Sequence, residues 1–208
     1  MLFRSRQFLV ALDGSTLAGP VGPAFAADAL PTEELNAHPL YRRDPQQARQ
    51  LLDAAGQVGL GFALEGANRP SARPLAQAIE GQLREGGFAP RSRLLPPADW
   101  ESTFLAGDFE AAVVEFEELR TPDIGLRLHL SGGLAGNFSL WGYSNPVYDQ
   151  AVRAVLTELN PAKRAEKARE AQRTLLNAVP AMFTIGSPPE YASLSPDLKG
   201  YEIGRAHV

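Results

Sequence analysis

The sequence predicts an α/β fold, a mixed sheet with flanking helices, and three observations carry that expectation. Between residues 59 and 116, short segments with strand patterning alternate with segments of helical periodicity. Glycines close the helical segments, at Gly56, at Gly86 and Gly87, and at Gly107. The run Ala111, Ala112, Val113, Val114 is apolar without alternation, the pattern of a strand covered on both faces. Strand, helix and strand in succession imply parallel strands joined by right-handed crossovers. Ligands of such sheets bind beyond the carboxyl ends of the strands, which in this chain lead into 66–73 and 117–123.

Taken in order, residues 1–43 are expected to form an irregular lead-in and 44–208 the α/β core, together one domain. Residues 4–12 are a short helix candidate, and 14–39, rich in Gly, Pro and Ala, should lie extended over a surface. Asp44, Pro45 and Gln47 supply an N-cap, a first-turn proline and a capping-box partner; Ala48, Leu51, Leu52 and Ala55 form the apolar stripe of the helix that follows. Strands are predicted over 59–65, 88–95 and 111–116, with helices over 74–85 and 98–105 between them. Asn145 and Pro146 open a helix whose buried face is Tyr148, Ala151, Val152, Val155 and Leu159, ending near 159. Asn160 caps the next, over 161–178. Residues 181–185 read as a returning strand and 187–208 as mostly loop.

The 208 residues, 44% of them hydrophobic, suffice for a full core. A net charge of −4 argues against a nucleic-acid partner. The densest basic cluster, Lys163, Arg164, Lys167, Arg169 and Arg173, is interleaved with Glu166 and Glu170 as on a solvated helix face. The absence of cysteine removes disulfides, thiolate metal sites and Cys nucleophiles together. No apolar run reaches the roughly 20 residues that cross a bilayer. Arg4, Arg6 and the apolar residues 8–12 loosely imitate a signal peptide, but Asp13 and the Gly and Pro residues after it interrupt the apolar stretch, so none is expected.

Catalytic signatures are lacking. His38, His129 and His207 lie outside any recognisable Ser or zinc motif, and structural or solvent roles are expected of them. Glu115, Glu117, Glu118 and Asp123 have no second carboxylate-bearing element to face, so paired-acid chemistry is not expected. The glycines of 131–136 have no lysine and no strand-to-helix turn of a phosphate loop. What remains is a binding surface of aromatic groups, an arginine loop and a Glu-rich strand end. The ligand-contact candidates are Arg69, Phe116, Glu117, Glu118, Arg120, Asn137, Trp141 and Tyr143. For Trp141 and Tyr143 the alternative is that they cover the core. No catalytic residue, metal or cofactor is expected.

The order of motifs resembles the C-terminal lobe of the extracytoplasmic solute-binding proteins of ABC transporters, family 5, the dipeptide, oligopeptide and nickel group. The resemblance runs through residues 6–13, through Tyr41 with Asp44, Pro45 and 51–56, through 76–87, through Trp100 with 107–110, and through 143–149, 171–176 and 200–201. It implies one lobe of a two-lobed periplasmic-binding-protein-like fold, without the N-terminal lobe. It further implies solute binding, of peptide type, for an ABC import system with a membrane permease as partner, and a periplasmic or extracellular location. A ligand-sensing domain of a regulator built on the same lobe is the alternative. Peptide-binding members hold the ligand's amino group with an Asp at a strand end, where this chain has Leu119, with Glu117 or Glu118 as substitutes. Arg69 with Pro70 resembles the arginine that holds the ligand's carboxylate, a task suited to its bidentate fork. A lobe by itself is expected to bind family ligands weakly or not at all.

Overall fold

The computed structural model describes residues 17–115, 121–131, 142–178, 180–187 and 197. The alternation expected from the sequence is formed: α1 (Thr32–Ala37), α2 (Pro45–Ala54), β1 (Gly61–Ala67), α3 (Ala72–Glu85), β2 (Ala89–Leu95), α4 (Pro97–Ala106), β3 (Ala111–Ala112), α5 (Pro122–Arg127), α6 (Pro146–Leu156) and α7 (Pro161–Asn177). The strand order is β2-β1-β3 and both pairings are parallel, with Gly61 opposite Ala89 and Leu64 opposite Ala111.

The helix starts follow the predicted local chemistry. Asp44 accepts from the Gln47 N–H at 2.8 Å, Asn145 from Val147 and Tyr148 at 3.1 Å each, and Asn160 from Lys163 at 3.1 Å. Each cap satisfies donors that the first helical turn leaves open, and each precedes a proline that has no N–H to satisfy. Gly107 ends α4 in the left-handed conformation at φ 69°.

Three apolar clusters divide the protein into two halves. In the sheet half, Leu64 of β1 packs on Leu75, Ile79 and Leu83 of α3. In the helical half, Val21, Leu126, Leu130, Tyr148, Val152, Val155, Ala168, Ala171 and Leu175 form one core from α5, α6, α7 and the lead-in. A third cluster, Leu17, Leu30, Leu35, Tyr41 and Leu176, seats the lead-in on the end of α7.

Several expectations are corrected. The segment 14–39 does not lie extended over a surface: over its described part, from residue 17, Leu17, Ala18, Val21 and Leu30 are buried, and 32–37 is helical. The buried Gln172 side chain accepts from the Val21 N–H at 3.3 Å and donates to the Asp28 carbonyl at 2.7 Å, and Arg173 pairs with both carboxylate oxygens of Glu34. Helix α6 stops at Leu156, which leaves Leu159 91% exposed instead of on the buried face. Leu51, expected in the stripe of α2, is exposed while Leu52 is buried. The β3 residues are half-buried, not covered on both faces. Residues 181–185 form no strand; Ser187 makes an isolated bridge, and Phe183 instead packs against Tyr41, ring centroids 4.6 Å apart and planes tilted by 47°. Helix α5, not anticipated, fits because Gly125 has no side chain: a Cβ there would lie 2.1 Å from the Pro20 carbonyl oxygen.

Candidate functional site

The carboxyl end of β1 and the segment after β3 lie side by side. The Val113 N–H donates to the Glu65 carbonyl at 2.7 Å, and Gly66 allows that approach, because a Cβ on it would meet the Val113 carbonyl oxygen at 2.8 Å. After Ala67 the chain turns tightly, with Asn68 N–H bonded to the Leu95 carbonyl at 2.7 Å and Ala72 N–H to the Arg69 carbonyl at 3.1 Å, and enters α3. A cleft of about 50 Å³ opens at this edge. Its walls are Ala67, Ala72, Trp100, Val113 and Val114, and its charged groups are Arg69 and Glu115. Trp100 is held by Phe104 and Phe109, with centroid separations of 5.4 and 6.0 Å, so its ring is a fixed wall.

Within the sheet and below this edge, the Glu65 carboxylate is buried opposite Arg93 in the β1–β2 register and pairs with that guanidinium, whose far side is exposed. A buried carboxylate held by an arginine fixes the edge without leaving an uncompensated charge.

Of the candidates named from sequence, Arg69 is at the cleft. Tyr143 is not among its lining residues: it packs at the margin of the helical core, its ring 6.5 Å from that of Tyr148, and its hydroxyl accepts from Asn145 Nδ2 at 3.1 Å. Phe116, Glu117, Glu118, Arg120, Asn137 and Trp141 lie outside the described residues. The lining residues that sequence reasoning missed are Ala67, Ala72, Trp100, Val113, Val114 and Glu115. Trp100 had a signal, its place in the motif with 107–110, but its spacing to Phe104 reads equally as core.

The residues on either side of 132–141 are tied to each other. Ser131 N–H donates to Asp149 Oδ1 at 3.0 Å, and its hydroxyl oxygen accepts from the Asn145 N–H at 2.9 Å. Beneath this clamp Tyr148 is fully buried and donates to the Leu126 carbonyl at 2.7 Å. Burial pushes the phenol well above its ordinary range, with the neighbouring Tyr143 and Asp149 adding to the shift. His129 is also buried, its ring 6.3 Å from that of Tyr148, and its Nε2 has no hydrogen-bond partner. Burial pushes this imidazole down to about 4. Such a group is neutral and serves packing. Among the described residues no group of three His, Cys, Asp or Glu is placed to hold a metal ion, and no helix is long and apolar enough to cross a membrane.

No family model and no curated protein sequence matches this chain. Solved structures do. The crystal structure of a peptide-binding protein of a peptide ABC transporter superposes with a TM-score of 0.66 at 18% identity, over 85% of this chain and 84% of that one. Haemophilus influenzae OppA in complex with RPPGFSPFR gives a TM-score of 0.71 at 16% identity, over 89% of this chain and 37% of OppA. MoaA from A. tumefaciens R10 in complex with mannopinic acid gives 0.60 at 23% identity, over 88% of this chain and 40% of MoaA. The fold is therefore that of one part of the ABC-transporter solute-binding proteins, and this chain spans 37% and 40% of the length of the latter two.

Proposed function

We propose that this chain is the C-terminal lobe of a solute-binding component of an ABC import system, taking its ligand, of peptide type, at the carboxyl edge of the sheet. The observation that carries the reading is the cleft itself, which lies beyond the ends of β1 and β3, where α/β sheets bind ligands, and sets Arg69 and Glu115 beside an apolar wall. Arg69 would receive a ligand carboxylate, and the acidic groups at the strand end, Glu115 with Glu117 and Glu118, would receive a cation. Phe116, Arg120, Asn137, Trp141 and Tyr143 remain the further contacts proposed from sequence.

In a two-lobed protein, contacts from both lobes make the closed form the favoured one, and a ligand shifts that equilibrium only by its differential affinity for the two forms. One lobe lacks that term. The partner of the whole protein would be an ABC permease, and its location periplasmic or extracellular. Calorimetry and thermal shift of the 208-residue chain with di- to nonapeptides and mannopinic acid test the reading. Binding weaker than micromolar, or none, is expected, and any binding seen should be lost in Arg69→Ala. Micromolar binding would contradict the one-lobe account, and weak binding unchanged in Arg69→Ala would remove the arginine from the site.

A further inference from the structure

We propose that His129 is an acid-operated catch: protonation of its buried imidazole swings the turn of residues 128–130 outward and releases Ser131 from α6, while the helices of the platform stay folded. The inference goes beyond the solute-binding reading and does not depend on it. It stands first on where the ring is. His129 is 1% exposed and its ring meets that of Tyr148 edge-on at 6.3 Å. Its Nε2 is closed off from solvent and has no hydrogen-bond partner among the described residues. Neutral, the ring fills space. Protonated, it would be a charge in an apolar core, which is costly unless the charge is paired or returned to water.

The titratable and charged groups on the elements packed around it are few. Residues 143–149 bring Tyr143, Tyr148 and Asp149. Helix α5 brings Asp123 and Arg127, which pair with each other at 3.9 Å. The buried residues of α7 include no titrating group, and from the lead-in Val21, Phe25 and Ala29 pack on this core. Burial alone weakens the hold of the imidazole on a proton, with no carboxylate strengthening it. The way out is set by the chain. His129 lies in a short turn after α5, where its N–H bonds the Leu126 carbonyl and the Leu130 N–H the Arg127 carbonyl, each at 3.2 Å and only three residues back. Ser131 follows at once, tied to Asp149 Oδ1 at 3.0 Å and to the Asn145 N–H at 2.9 Å. An imidazole that turns toward water therefore takes Ser131 with it. That motion gives up two hydrogen bonds and the burial of Leu130, whereas unfolding the platform gives up the whole core of α5, α6 and α7. The local route is the cheaper one.

Amide hydrogen exchange of the folded 208-residue chain, followed by ¹H–¹⁵N NMR at pH 7 and at pH 5 and corrected for the intrinsic pH dependence of exchange, tests the catch. Between these values carboxylates of ordinary affinity stay charged and histidines change state. An imidazole that takes its proton at about 4 when enclosed and at 6.5 when released favours the released form about 20-fold more at pH 5 than at pH 7. Protection of the Ser131 amide should lie well below that of Leu175, in the core of α7, and should fall about 20-fold between the two values. In His129→Phe the fall should vanish. In Asp149→Asn, whose amide oxygen can still accept from Ser131, it should persist. Ser131 protection that is flat with pH, or that equals the protection of Leu175 at both values, overturns the inference. So does a fall that survives in His129→Phe or disappears in Asp149→Asn. If His129→Phe gives no folded spectrum, the unsubstituted chain and Asp149→Asn decide.

Discussion

The helical half and the sheet half are built to different tolerances. In the helical half Leu126, Tyr148, Val152, Ala171 and Leu175 are each 0% exposed, and two of its polar members, Gln172 and Tyr148, reach specific carbonyls. In the sheet half Leu64, Leu75, Ile79 and Leu83 keep 3–7% exposure and β3 is half-buried, while large apolar residues face outward in both halves, Leu51, Leu60 and Leu105 here and Val147, Leu156 and Leu159 there. The difference teaches where each job is done. A closely packed platform holds the chain together, and the looser layer carries the strand ends at which the proposed ligand site lies.

Breaking the platform should cost the most. Gly125→Val drives a side chain into the Pro20 carbonyl, and since backbone cannot yield as a side chain would, urea unfolding should show a loss above about 4 kcal/mol. Next, the same truncation in each half sharpens the contrast: Leu175→Ala should cost about 4 kcal/mol and Leu83→Ala about 2 to 3 kcal/mol, because a less enclosed site collapses more easily around the missing atoms. Equal losses would show that the halves are equally packed.

Acid should also act on the platform first. The buried His129 binds its proton more weakly when folded, about 4 against the ordinary 6.5, so the unfolded chain takes up more protons between those values. Its contribution is complete above pH 6.5 and declines as the pH falls toward 4, by about 3 kcal/mol in all. His129→Leu, which also removes the unpartnered Nε2, should flatten that part of the pH–stability curve. A slope unchanged in the variant would assign it to other groups. The smallest effect compares caps: Asp44→Ala should cost about 1 kcal/mol, and Asn145→Ala somewhat more, since Asn145 also donates to the Tyr143 hydroxyl.

What was legible in the sequence follows the range of each interaction. The starts of α2, α6 and α7 were readable because a cap and its donor lie two or three residues apart. The burial of the lead-in was not, because Val21 is held by Gln172 from 151 residues away. The apolar pattern of 181–185 suits a strand, yet Phe183 packs on Tyr41 and, among the described residues, no strand pairs with the segment. Leu159 follows the helical spacing, but the turn that would have buried it is never formed. At the cleft, Arg69 was named from sequence through a resemblance. Ala67, Ala72 and Val113 carry no chemistry of their own and come together only because the end of β1 meets the segment after β3.

The clamp made by Ser131, Asn145 and Asp149 has a consequence for variation. Asn145 both caps α6 through Val147 and Tyr148 and donates its own N–H to the Ser131 hydroxyl, while Asp149 of the same first turn accepts from the Ser131 N–H. The start of α6 and its tie to Ser131 are therefore one unit, and a substitution at Asn145 loosens both at once.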